Sequence, residues 1–130
     1  MSKTHQLTEL QLAIVRLLWD KGEATVVDIW EALHAERGLA QSTLATILSR
    51  LERRGVVTHR AQARQFVYHA LITEQDARHS MVSELTARLF EGDVPALVSH
   101  LLTEQDVSPG DMKRIRAMLE EAGAKRKAAK

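Results

Sequence analysis

No cysteine occurs anywhere in the 130 residues. That one absence removes disulfides, thiolate metal sites, iron–sulfur clusters and cysteine nucleophiles together. Long apolar runs are missing too. Nowhere do about 20 apolar residues follow one another, and the opening Met1-Ser2-Lys3-Thr4-His5-Gln6 has no apolar signal core, so a soluble, cytoplasmic protein is expected. Nor is there a large excess of one charge: 18 Lys+Arg face 17 Asp+Glu, a formal net charge of +1. What remains is ordinary globular material, 45% hydrophobic and 27% charged, long enough for one compact domain or two small subdomains sharing a core.

The small net charge argues at first against a nucleic-acid partner, but its distribution argues the other way. Residues 1–72 hold nine basic and seven acidic side chains, whereas residues 73–124 hold five and ten. Residues 125–130 add four positive charges. Within residues 37–64, Arg37, Arg50, Arg53, Arg54, Arg60 and Arg64 face only Glu52, a local charge of +5. A basic segment therefore sits beside an acidic one.

Helix starts and glycine stops punctuate the chain. Thr8-Glu9-Leu10-Gln11 reads as a capping box opening a helix to about Lys21, stopped by Gly22. Leu10, Ile14, Leu17 and Leu18 share one face; Leu12, Val15 and Trp19 lie opposite, so both sides are expected to be covered. Thr25 caps a second helix, from Val26 to about Arg37, ended by Gly38. A third begins near Gln41 or Ser42 and ends at Gly55, with Leu44, Ile47, Leu48 and Leu51 as its buried face. The period then changes to that of strands. Val56–Arg60 and Gln65–His69 are β-branched and aromatic runs around Ala61–Arg64, which reads as a β-hairpin, although no Asn-Gly or Gly dipeptide sets its turn and register.

From Thr73 the pattern is helical again: one helix to about Phe90, a short one from Asp93 through Leu102, and a last one from Ser108-Pro109 to Gly123. The expected organisation is a three-helix unit with a hairpin wing over residues 1–72, a helical region over 73–124, and a frayed, solvated basic tail at 125–130. By element order this is a mainly α winged helix-turn-helix.

An enzyme reading finds nothing to hold. There is no glycine-rich phosphate loop, no Gly-x-Ser-x-Gly elbow, and the histidines lack the i, i+4 pairing of a metal-binding helix. His59 and His69 lie on the two hairpin strands and are within reach of each other; the plainer reading is a pair of half-buried wing histidines. No metal and no cofactor are expected. The third helix differs. With its leucines turned inward, the 100° step turns Ser42, Thr46, Ser49, Arg50 and Arg53 outward, with Gln41 at the start and Thr43 on the border. Hydroxyls suit base edges and the thymine methyl, and arginine forks onto guanine or grips phosphate. In helix-turn-helix proteins the N-terminal part of this helix reads bases. Arg53 and Arg54, at its far end, suit phosphates, as do Arg60 and Arg64 near the hairpin tip with His59 beside them. Any one of these arginines alone is an ordinary solvated side chain; together they make a candidate DNA surface.

One such module reads only a few base pairs, and two related by symmetry double the site. Met81, Leu85, Leu89, Phe90, Leu97, Leu101, Leu102, Ile115 and Leu119 lie on narrow stripes that do too little to close a core alone. They are candidates for a homodimer interface, with an ordinary intrachain core as the alternative.

The run Leu7-Thr8-Glu9-Leu10-Gln11-Leu12 through Leu18-Trp19 and Gly22-Glu23-Ala24-Thr25-Val26 resembles the penicillinase-repressor family of the BlaI/MecI type. So do Ser42 through Gly55, the wing with Arg64, Phe66-Val67-Tyr68, and the later Ser80-Met81, Leu97-Val98, Leu101-Leu102 and Asp106-Val107-Ser108. The resemblance implies a homodimeric repressor on an inverted-repeat promoter site in double-stranded DNA, with the C-terminal helices intertwined as a clasp. It places Thr43, Thr46 and Arg50 against DNA, and it brings in a membrane-bound metalloprotease sensor as a further candidate partner. Two departures stand out. Family members inactivated by proteolysis carry an Asn-Phe bond where this chain has His100-Leu101, and the Cys-x-Cys pair of copper-responsive relatives is absent. The rival reading from another class is a winged helix used as a protein-interaction module, with the acidic half as its docking surface.

Overall fold

The computed structural model describes residues 6–128 in the order α1 (Glu9–Lys21), β1 (Ala24–Thr25), α2 (Val26–Arg37), α3 (Gln41–Arg53), β2 (Val57–Gln62), β3 (Gln65–Ala70), α4 (Glu74–Phe90), α5 (Val94–Glu104) and α6 (Pro109–Ala128). The helix starts follow local chemistry. In α1 the Thr8 hydroxyl accepts from the Gln11 N–H at 3.2 Å while the Gln11 side chain accepts from the Thr8 N–H at 3.0 Å. In α2, Thr25 and Asp28 form the same reciprocal pair, both bonds 3.1 Å long. Gly22 and Gly38, at φ of 85° and 57°, stop these two helices in backbone that a side chain would strain.

The chain divides after Leu85 into two compact units. In the first, Ile14, Val15 and Leu18 of α1, Ile29 of α2, Leu44, Leu48 and Leu51 of α3, and Val56 and Val57 are essentially solvent-free and form one cluster with Tyr68 and Ile72. Burying each such aliphatic side chain stabilises the fold by roughly 1.5–3 kcal/mol before conformational entropy is counted. Two indoles tie helices to loops without leaving a polar atom unpaired: Trp19 donates to the Ile72 carbonyl at 2.9 Å and Trp30 to the Leu39 carbonyl at 2.6 Å. The first turns of α4 belong to this unit, since Ala77 is buried and Met81 packs on the cluster.

The wing is part of a three-stranded antiparallel sheet ordered β1-β3-β2. The two-residue β1 is invisible in the sequence pattern because Thr25 also caps α2; it pairs Ala24 with Tyr68 and Thr25 with Val67. The hairpin is tighter than its sequence suggests. Gln62 pairs with Gln65, so the turn is Ala63-Arg64, and Ala63 takes φ 56°, the left-handed conformation usually given to glycine. His59 and His69 are half-buried wing residues, as the plainer reading has them, and do not approach each other. His59 is opposite Tyr68 and His69 is opposite Thr58, and the two-residue side-chain period puts the histidines on opposite faces.

The second unit contains the end of α4 with α5 and α6. Neither α5 nor α6 has a buried residue, and Leu89, Val94, Leu101, Met118 and Leu119 are exposed. Helix α6 runs through Gly123 to Ala128, where a stop at Gly123 was expected. One interior glycine costs only about 1 kcal/mol against alanine, the following alanines and lysines favour helix, and the cationic last turn complements the helix dipole. Of the expected basic tail, Lys125–Ala128 is helical, while Ala129 and Lys130 lie outside the described residues. Among the described residues no helix is long and apolar enough to cross a membrane.

Candidate nucleic-acid interface

Helix α3 owes its orientation to four positions. Leu44, Leu48 and Leu51 are fully buried and Ile47 half-buried, so the opposite face must look outward. Gln41, Ser42, Thr43, Thr46, Ser49, Arg50 and Arg53 are all exposed. The Thr46 hydroxyl donates to the Ser42 carbonyl one turn back at 3.1 Å, which aims its lone pairs and methyl group away from the helix axis. Ala40, the residue before α3, supplies no side-chain cap, and the first turn holds no acidic residue. Its backbone N–H groups and positive dipole end therefore face outward beside Gln41–Thr43.

The six arginines of the basic segment do not behave alike. Arg37 is ion-paired to Glu9 at 2.8 Å, which pulls the Glu9 carboxyl below its usual pKa through hydrogen bonding first and charge second. Arg54 donates to the Gln6 carbonyl and, at 3.3 Å, to the Gln11 side chain, tying the end of α3 to the start of α1. Arg60 reaches Glu23 at 2.8 Å and Gln62 at 2.7 Å. Arg50, Arg53 and Arg64 have no hydrogen-bond or ion-pair partner among the described residues. Fixed charge thus extends from the exposed face of α3 to the tip of the wing, with Arg60 and Arg54 held by their own chain.

His59 occupies the junction of helix and wing. Its Nδ1 meets the Glu52 carboxylate of α3 at 2.5 Å, and its ring lies 4.2 Å from that of Phe66 and 5.3 Å from that of Tyr68. Burial, and then the Glu52 charge, push the Tyr68 phenol above its ordinary pKa. Half-buried and bonded on one side, His59 fastens β2 to α3, and its position beside Arg60 gives the wing a defined angle. The pairing of Glu52 with His59 and of Glu23 with Arg60 is what sequence reasoning missed. No spacing rule links a helix residue to a strand seven positions on, or a loop carboxylate to an arginine 37 positions away.

The residues read as dimer candidates fall into two groups. Met81 packs on the core of the first unit, whereas Leu85 at 41%, Leu101 at 45%, Leu119 at 61% and Leu89 at 71% exposure stand open. Phe90, Leu97, Leu102 and Ile115 are half-buried, and Phe90 meets the His100 ring edge-on with centroids 5.7 Å apart.

Three helices, a short sheet and a hairpin wing in this order make the first unit a winged helix, and solved structures agree. The solution structure of the DNA-binding domain of the repressor BlaI superposes with a TM-score of 0.51 at 26% identity, covering 58% of this chain and 93% of that one. Monomeric Bacillus licheniformis BlaI, solved in complex with the blaP half-operator, gives 0.50 at 26% identity over the same shares. The chain belongs to the penicillinase repressor family, which residues 7–121 match; it is a family of transcriptional repressors and not of enzymes. Its relatives include the methicillin resistance regulatory protein MecI of Mammaliicoccus sciuri, 21% identical over 118 residues that cover 91% of this chain and 96% of that protein. The penicillinase repressor of Bacillus licheniformis is 23% identical over 121 residues, 93% of this chain and 94% of its own length.

Proposed function

We propose that this protein represses transcription as a homodimer on an inverted-repeat operator, laying α3 in the major groove of each half-site. The observation that carries the reading is the outward face of α3, where hydroxyls and a glutamine flank an uncapped helix start with no acid in its first turn and two unpaired arginines stand in the last turn. Gln41, Ser42, Thr43 and Thr46 read base edges there, and the first-turn N–H groups donate to a phosphate. Arg50 and Arg53 follow along the same face. The wing sets Arg64, and Arg60 once it leaves Glu23, on the backbone. Arg54 and His59 act from behind, keeping α3 and the wing at a constant angle.

A related BlaI was solved as a monomer with a half-operator, which supports one winged-helix unit per half-site. A second copy supplies the other half. The open leucines of α4–α6 are the surface for it, because each leaves apolar area in water that a partner removes. A membrane-bound metalloprotease sensor is no part of this reading, since His100-Leu101 replaces the family's cleaved Asn-Phe bond.

Fluorescence anisotropy with duplexes from the protein's own promoter tests the proposal directly. Selection from random duplexes at moderate salt is expected to return an inverted repeat. Thr46→Ala is expected to relax discrimination at one base pair per half-site by roughly 1–3 kcal/mol. Selection that returns no repeat, or a Thr46→Ala protein that weakens on every sequence equally, removes α3 from the reading role.

A further inference from the structure

Between α1 and the first turns of α4 lies a cavity of about 200 Å³, lined by Leu12, Arg16, Trp19, Ala77, Met81 and Val82, with Glu74 and Arg78 at its edge. All of these residues belong to the first unit, on the side of α1 that carries Leu12 and Trp19. From this arrangement we infer a binding site for a small aryl monocarboxylate, an aromatic ring bearing one carboxylate group.

Three features select that chemistry. The first is size: a cavity of about 150 Å³ holds a benzene ring, so this one takes a single ring with room for a small substituent. The second is the wall. Trp19 is fixed by its 2.9 Å bond to the Ile72 carbonyl, so its indole is a preset face rather than a mobile flap. Met81 offers a polarisable thioether, which packs well against an aromatic ring. The third is charge. Arg16 has no hydrogen-bond or ion-pair partner among the described residues. Arg78 is held only loosely by Glu74, at 3.8 Å on an exposed helix face. Two guanidinium groups against one carboxylate leave the cavity's edge with an excess positive charge. A carboxylate can take both N–H donors of the Arg16 fork while its ring enters between Trp19 and Met81. A cationic ligand of the same size meets repulsion, and a neutral one leaves the fork to water.

Helix α4 gives the site a consequence for the whole chain, because the residues from Ala77 to Val82 that line it belong to the helix that continues into the second unit. The inference itself stands without any DNA reading and is tested without DNA. Ligand-observed NMR titration of the purified protein uses benzoate as the probe, with benzyl alcohol and benzylamine as neutral and cationic partners of the same shape. Benzoate is expected to bind about tenfold more tightly than benzyl alcohol, and benzylamine more weakly than either. Arg16→Gln, at an exposed position, is expected to erase the advantage of benzoate while leaving benzyl alcohol unchanged. Val82→Phe, on a half-exposed helix position, fills the cavity and is expected to abolish binding of both, with the circular dichroism spectrum of each variant unchanged. Benzoate binding no better than benzyl alcohol, an advantage that survives Arg16→Gln, or undiminished binding to a folded Val82→Phe protein would overturn the inference.

Discussion

Arg60 cannot serve a phosphate and Glu23 at once, and this competition makes a quantitative prediction. The pair is 2.8 Å long, with the two side chains 48% and 52% exposed. In that much water an ion pair contributes about 0.2–1 kcal/mol, because solvent and salt screen it and both side chains lose rotamer freedom. Moving Arg60 onto DNA, as the proposed function has it, forfeits that amount. Glu23→Gln removes the competitor and one negative charge close to the incoming backbone, so both effects have the same sign. The ion-pair share of the expected gain is about 0.2–1 kcal/mol for each bound chain, at its upper end roughly fivefold tighter binding. The number of neutralised phosphates is unchanged, so the slope of log affinity against log salt stays as it was. Arg60→Gln acts on the slope instead, lowering its magnitude by about 0.9 for each bound chain. Anisotropy titrations from low to moderate KCl read both quantities, and urea denaturation of Glu23→Gln should show a stability loss below about 1 kcal/mol. If Glu23→Gln binds no tighter and Arg60→Gln keeps the full slope, Arg60 only fastens the wing to the chain before β1, and its place on the backbone is wrong.

Other outcomes follow from the same geometry. Ala63→Gly should stabilise the protein by up to about 1 kcal/mol in thermal or urea unfolding, since Ala63 holds φ 56° in the wing turn; a loss of stability would contradict that turn. Leu48→Ala, at a fully buried α3 position, should cost about 2–5 kcal/mol by the same measurement, and a cost under 1 kcal/mol would mean α3 is not seated on this core. The chain has one tyrosine, so ultraviolet titration of the folded protein reads Tyr68 alone; its phenol should titrate above 10, and Glu52→Gln should bring it part of the way back. The Thr25 N–H and then its hydroxyl hold the Asp28 carboxyl below its ordinary pKa of 3.8. A lowered folded pKa means the capping box stabilises α2 above about pH 4 and ceases to as pH falls through the folded value. Asp28→Asn should therefore lower Tm at pH 7 and have little effect near pH 2; equal losses at both would refute the charge-dependent part.

The helices were legible because their signals are local. Thr8 with Gln11, Thr25 ahead of Asp28, Gly22 and Gly38 act within a few residues, and the apolar stripes of α1 and α3 repeat inside one element. The outward face of α3 followed from Leu44, Ile47, Leu48 and Leu51, since a helix that turns these four inward has no choice about where Thr46 and Arg50 point. The wing was legible only as a strand pair. Its turn escaped because Ala63 adopts backbone that its residue type disfavours, held there by the pairing of Gln62 with Gln65 and the strands behind it. The run of α6 past Gly123 escaped because a weak local breaker was outweighed by good helix formers after it.

Charge divides along the same line. A basic stretch over residues 37–64 is a property of the sequence, as are the absence of cysteine and the inward and outward faces of each helix, because they depend on residue identity and on the 3.6-residue and two-residue periods. Which of those arginines remain free is not such a property. Glu9 takes Arg37, the Gln6 carbonyl and Gln11 take Arg54, and Glu23 takes Arg60, while Arg50, Arg53 and Arg64 keep their charge open. The cavity beside Trp19 is likewise made by α1 and α4, more than fifty positions apart in the chain. Pairing between distant residues depends on where folding brings them, and only the tertiary structure decides that.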